Sequence, residues 1–376
     1  EPRFLLAQNV STCIDPLEVC LHRQTVQDTV HVFQHSIPTE GKPVTNQKNS
    51  GRCWIFSCLN VMRLPFMKKF NIEEFEFSQS YLFFWDKVER CYYFLHACVE
   101  TAQRNESVDG RLVQFLLSNP TNDGGQWDML VNLIEKYGVV PKKCFPESHS
   151  SEASRRMNDI LNHKLREYCL TLRNMVDNEA TKTKLSDTID TMIEEVSCFV
   201  EQTCSLFYGN GIREKHRTLK LIDKNSACNN VCPYELVSFW HQAVWFGCDV
   251  GKHFHSKLGI NDMNVFNHDL VFGISVKNLS KAERLIFGDS MMTHAMILTA
   301  VTDKNGKEGC YEKWRVENSW GDDRGNKGYL IMTDEWFSEY VYEVVVDKNF
   351  LPPEVLDVMQ QDPIVLPAWD PMGALA

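Results

Sequence analysis

Cys53 closes the loop Asn46-Gln47-Lys48-Asn49-Ser50-Gly51-Arg52 and opens a stretch with apolar residues at Ile55, Leu59, Met62 and Phe66. That spacing predicts one face of a helix beginning at or next to Cys53. A cysteine at a helix start sits at the positive end of the helix dipole, which favours thiolate over thiol, and thiolate is the nucleophilic form. Gln47 stands six residues earlier, where its side-chain amide can flank a carbonyl under attack while Cys53 adds its own backbone N–H. Two such donors make an oxyanion hole. A nucleophile of this kind needs a proton acceptor, because one cysteine among fourteen is by itself a packing residue.

The second half of the chain supplies a candidate acceptor. In Met292-Thr293-His294-Ala295-Met296 a histidine immediately precedes an apolar strand, and 24 residues later comes Glu317-Asn318-Ser319-Trp320-Gly321. The amide oxygen of Asn318 can accept a hydrogen bond from the His294 ring and fix its tautomer, while Trp320 can shield that bond from water.

The elements that must hold these residues are legible as patterns. The Cys53 helix is expected to bend or end at Pro65. Residues 78–98 are rich in aromatics (Tyr81, Phe83, Phe84, Trp85, Tyr92, Tyr93, Phe94), a composition that builds core. From about 147 to 201 charged residues interleave with Met157, Ile160, Leu161, Leu165, Leu170 and Met175, which predicts helices. Beyond Gln242 the pattern turns to strands, over 243–250, 270–274, 295–301, 328–332 and 340–346. The tail from Leu351 carries five prolines, so it cannot be one continuous helix and is expected to be an extended arm.

A formal net charge of −11 counts against sequence-independent nucleic-acid binding, which needs clustered Lys and Arg. Lys42, Lys48 and Arg52, near Cys53, read as a scattered, solvated set. No apolar run approaches the roughly 20 residues of a membrane span. The cysteines lack the regular spacing of a disulfide framework and read as mostly buried thiols of a reducing compartment. Cys228 and Cys232 could form half of a metal site, but no second ligand pair follows at a suitable spacing. No metal or cofactor is expected.

Gln47, Gly51-x-Cys53-Trp54, His294 and Asn318-Ser319-Trp320-Gly321 stand in the order of the papain family, which the chain resembles. The resemblance implies Cys53 as nucleophile, His294 as its acid and base, Asn318 as the orienting residue and Gln47 as oxyanion donor. It also casts Gly124-Gly125, within Asn122-Asp123-Gly124-Gly125-Gln126-Trp127, as the edge that pairs with substrate backbone; taken alone, the pair reads as a turn before a helix. The secreted papain signature has a cysteine three residues before the nucleophile, where this chain has Ser50, and its partner falls at Asn122. Both ends of that disulfide are missing. His294 follows Cys53 by 241 residues, against roughly 130–150 in papain and cathepsins, so an insertion is expected.

A closer resemblance, over about 4–195 and 243–376, is to the bleomycin hydrolase family, through Asn60-Val61-Met62-Arg63-Leu64-Pro65, Trp245-Phe246-Gly247-Cys248-Asp249-Val250-Gly251-Lys252 and the ending Ala368-Trp369-Asp370-Pro371-Met372-Gly373-Ala374-Leu375-Ala376. It implies a cytosolic homohexamer with aminopeptidase activity on substrates bearing a free amine, including the β-aminoalanine amide of the drug. It further implies that the carboxylate of Ala376 pairs with the substrate's ammonium group, with Trp320 and Gly124-Gly125 also lining the substrate. The resemblance fails over about 196–242. The expected architecture is α+β and papain-like: a helical lobe over 1–140 with Cys53, a mainly helical insertion over 141–242, a sheet-rich lobe over 243–350 with His294 and Asn318, a cleft between the lobes, and an arm over 351–376 lying in it. Two rival readings are an endopeptidase and a binding or scaffold protein that keeps a peptidase fold, with nucleic acid the partner that the family resemblance implies for it.

Overall fold

A computed structural model describes residues 2–204, 242–304 and 310–373. Cys228, Cys232 and Ala376 lie outside the described residues. The chain divides into two compact units, α+β in sum: a sheet unit with described residues 2–46, 242–304 and 310–364, and a helical unit with 47–204 and 365–373.

Among its described residues the sheet unit holds eight strands: β1 His35–Ser36, β2 Val244–Cys248, β3 Phe254–His255, β4 Ile260–Asn261, β5 His294–Asp303, β6 Tyr311–Glu317, β7 Tyr329–Thr333 and β8 Val341–Val344. They are ordered β3-β4-β7-β6-β5-β2-β8, with β1 paired to β5. Strand β5 is buried along nearly its whole length, which is why its sequence is a continuous apolar run rather than an alternation. It pairs antiparallel with β2 and with β6, setting Cys248 opposite His294 and Ile297 opposite Glu317. Val244, Phe246, Met296, Leu298, Trp314 and Trp336 form the core on this sheet.

Two expectations change here. Residues 270–274 do not form a strand: His268–Phe272 is a short helix, capped by the Asn267 side chain accepting from Leu270 N and ended by Gly273 at φ 71°. That local capping chemistry outweighs the β propensity of a few apolar residues. The sheet also recruits residues 2–46, which were expected in the helical lobe. Strand β1 pairs His35 with Val301, and Leu21 bridges to Phe266.

In the helical unit, Cys53–Phe70 forms the first long helix. It runs through Pro65 and ends at Asn71, whose left-handed backbone lets its N–H bond back to the last turn. Gln79–Gln103 follows, with the Ser78 hydroxyl accepting from Tyr81 N. Tyr81, Phe83, Phe84 and Phe94 are buried along it, while Tyr92 and Tyr93 face solvent. Helices Arg155–Asp177 and Lys182–Cys204 pack on this helix and on each other. Met157, Leu161 and Leu165 make the buried stripe, whereas Ile160 and Leu170 are exposed. The expected insertion thus falls in the same compact unit as the nucleophile's helix. The tail begins with a helical turn, Pro353–Val358, started by a proline at its first position. It is otherwise without regular structure until a turn at Pro371–Gly373. Among the described residues no helix is long and apolar enough to cross a membrane.

Candidate active site

The loop before Cys53 is closed on itself. The Gln47 amide donates to Ser50 O at 2.6 Å, and the Ser50 hydroxyl donates to Gln47 O at 2.6 Å. Arg52 Nε donates to the same hydroxyl at 2.8 Å, and its Nη1 reaches both oxygens of Glu147 at 3.1 and 2.8 Å. Arg52 is therefore not a solvated charge: it is fully buried, over the rings of Phe56 and Phe83. Cys53 is the first residue of its helix and almost fully buried. No acidic residue lies in that first turn and the N-cap side chain makes no capping bond; the positive end of the dipole falls at the sulfur.

Gly124 and Gly125 belong to the same unit. Trp54 Nε1 donates to Asp123 O at 2.8 Å, which lays the indole against the glycines. A Cβ on Gly125 would come within 2.5 Å of that ring. A side chain there would have to displace a buried tryptophan, which explains the glycine.

In the sheet unit, His294 begins β5 and Asn318 follows β6, two adjacent antiparallel strands. His294 Nε2 lies 2.9 Å from Asn318 Oδ1, and the same oxygen accepts from Ser319 N at 2.8 Å. Because the Ser319 N–H can only donate, the atom facing it is an oxygen; His294 Nε2 must then carry the proton, which leaves Nδ1 as the basic nitrogen. The Trp320 ring lies 4.7 Å from the imidazole and covers it. Both His294 and Asn318 are buried. Burial pushes the imidazole down to about 4, against a smaller upward pull from its bond to Asn318. Gly321, at φ 82°, turns the chain directly after Trp320 where Asn46 Nδ2 leaves no room for a side chain.

The structure therefore assembles Gln47, Cys53, Gly124 and Gly125 in one unit, and His294, Asn318 and Trp320 in the other. Two groups of supporting residues were missed in the sequence. Asp249 is buried and accepts from Ser290 Oγ at 2.8 Å, Met291 N at 3.4 Å and Thr293 Oγ1 at 3.3 Å. It holds the turn that delivers His294. Asp123, Lys87 and Arg90 surround the Gly124 edge. A charged residue inside an otherwise apolar or aromatic run was the available signal for Asp249, Lys87 and Arg90; Asp123, in a polar, Gly-containing loop, carried none. The cysteines among the described residues carry thiols, most of them buried. Among those residues no cluster of three or more His, Cys, Asp or Glu could hold a metal ion.

The chain belongs to the Peptidase C1-like family, whose model matches residues 1–211 and 240–373. Within that family its similarity runs to the bleomycin hydrolases. It is 63% identical to bleomycin hydrolase of Gallus gallus and 58% identical to that of Homo sapiens, each alignment covering 100% of this chain and 95% of the relative. Both alignments span 434 positions, more than the 376 residues here, so the relatives carry residues this chain lacks. Aminopeptidase C of Lactobacillus delbrueckii subsp. lactis is 39% identical over 100% of the chain and 95% of that protein. The crystal structure of PepW from Lactobacillus rhamnosis superposes with a TM-score of 0.89 at 34% identity, covering 99% of this chain and 95% of that one. The protein is a cysteine-type peptidase with a papain-like α+β fold.

Proposed function

We propose that this protein is an aminopeptidase that hydrolyses peptide and amide bonds next to a free amino group, through a thioester on Cys53. The Cys53 thiolate attacks the carbonyl carbon, and the resulting oxyanion is held by the Gln47 side-chain amide and the Cys53 N–H. His294 Nδ1, having taken the proton of the Cys53 thiol as the thiolate formed, delivers it to the leaving amine. It then takes one from the water that attacks the thioester, which releases the acid and regenerates the thiolate. Asn318 keeps Nε2 protonated throughout, so that Nδ1 is the nitrogen that exchanges protons. No step calls for a metal or cofactor.

The observation that carries the exopeptidase reading is a bond between the arm and the substrate edge. Gln126, next to Gly125, donates from Nε2 to Met372 O at 3.1 Å. Arg111 lies over the Trp369 ring at 4.2 Å, a second hold on the same arm. An arm fastened there blocks the side on which a longer amino-terminal extension of the substrate would lie. The relatives' names, bleomycin hydrolase and aminopeptidase C, agree with a substrate amine. By the same likeness the substrates include the β-aminoalanine amide of bleomycin, and the enzyme is a cytosolic homohexamer. Deleting residues 373–376 tests the reading: cleavage of free-amine reporters should fall and cleavage of amine-blocked or internal bonds should appear. A truncated enzyme that keeps a strict free-amine requirement would place specificity elsewhere.

A further inference from the structure

We infer that Asp123, held by Lys87, is a positioning residue that fixes the nucleophile loop against the Gly124-Gly125 edge, in place of the disulfide that secreted papain-type sequences carry between these two segments. The inference rests on the reading of Cys53 as nucleophile and of Gly124-Gly125 as the substrate edge.

Ser50 and Asn122 occupy the two positions of that missing disulfide, and Asp123 and Gly51 are their immediate neighbours. Gly51 N donates to Asp123 Oδ2 at 3.3 Å. A Cβ on Gly51 would lie 2.9 Å from the Asp123 Cβ, so the two backbones are in close contact. The carboxylate is held from three further sides, by Lys87 Nζ at 2.6 Å, Asn158 Nδ2 at 2.6 Å and the Ser154 hydroxyl. The segment is pinned along its length. Lys87 Nζ also bonds Thr121 O at 2.7 Å and Asn122 O at 3.1 Å, Trp54 takes Asp123 O, and Arg90 takes Gly124 O. Each carbonyl from 121 to 124 thus accepts from a side chain, in a stretch that no β-strand includes.

The charges are suited to a permanent tether. Lys87 is fully buried and Asp123 is 11% exposed. Burial opposes ionisation of Asp123, but the Lys87 ammonium and the bonds from Lys87, Ser154 and Asn158 outweigh it and hold the carboxyl well below the usual carboxylate range. Unlike a disulfide, such a link survives reducing conditions. Its function is geometric: the loop bears the Cys53 N–H and Gln47, the edge bears the substrate, and an ångström of drift between them is costly.

Three variants test this: Asp123→Asn; Lys87→Gln combined with Asp123→Asn, which keeps hydrogen-bonding capacity without charge; and Ser154→Ala, which removes one contact and leaves the ion pair. For each, kcat and KM on a free-amine amide reporter, the rate of Cys53 alkylation by iodoacetamide, and Tm are measured. Asp123→Asn should lower kcat by roughly a hundredfold, while alkylation, which needs a thiolate but no oriented substrate, stays within about twofold. Ser154→Ala should lower kcat several-fold with the same split. It carries the test should the charge variants fail to fold. A fall in kcat and alkylation in equal proportion, or an unchanged kcat in folded Ser154→Ala, overturns the inference. Turnover that persists in Cys53→Ala would instead overturn the catalytic reading beneath it.

Discussion

At the scale of single residues, His294 carries the sharpest pH dependence. In the folded chain its imidazole titrates near 4 because it is buried, against about 6.5 when unfolded. Between those values the unfolded chain binds a proton that the folded chain does not, so stability is complete above pH 6.5 and falls as pH drops toward 4. Linkage puts the loss at about 3 kcal/mol by pH 4. Measured in a Cys53→Ala background, so that no thiolate charge bears on the ring, urea midpoints should decline across this window, and His294→Asn should flatten the decline. Parallel curves would contradict the burial argument. In catalysis, Asn318→Ala should slow acylation by about a hundredfold or more, yet less than His294→Ala, since it loosens the tautomer but leaves the proton carrier in place. Gln47→Ala should lower kcat by about 10² to 10³ with little change in KM; a pure KM effect would remove Gln47 from the oxyanion hole.

At the scale of elements, the Cys53–Phe70 helix passes through an exposed Pro65 that costs it a backbone hydrogen bond. Pro65→Ala should stabilise the protein by about 1–2 kcal/mol, the helix gain less the greater freedom of the unfolded chain. A lower thermal midpoint would mean that the helix is packed around its proline. Pro65 also marks the limit of what the sequence discloses. Proline reads as a stop, but a helix with so much buried surface before it tolerates one lost bond. The strands β2, β5, β7 and β8 were legible because parts of a buried sheet read as unbroken apolar runs. Strand β6 was not, since Tyr311, Glu312, Lys313 and Arg315 give it a polar look although Trp314 and Val316 are buried. The residues proposed for chemistry were legible because their types and order are restrictive. Asp249 and Asp123 were not, because the worth of a buried carboxylate depends on donors distant in sequence, such as Ser290 and Lys87.

At the scale of the whole molecule, the chain combines the proposed nucleophile and substrate edge in one unit with the proposed acid and base in the other, and an arm fastened beside the edge. Trp369→Ala removes the Arg111 contact and should loosen the arm, raising turnover of amine-blocked reporters relative to free-amine ones; an unchanged ratio would show that the contact does not bear on specificity. The role of Cys53 as the nucleophile of an amine-dependent peptidase is tested by intact-mass and peptide mapping after reaction with a free-amine dipeptidyl epoxide. One adduct per chain is expected, located on Cys53, formed in step with the loss of turnover and absent from Cys53→Ala. An adduct on another of the fourteen cysteines, or full turnover by a chain modified at Cys53, would contradict it.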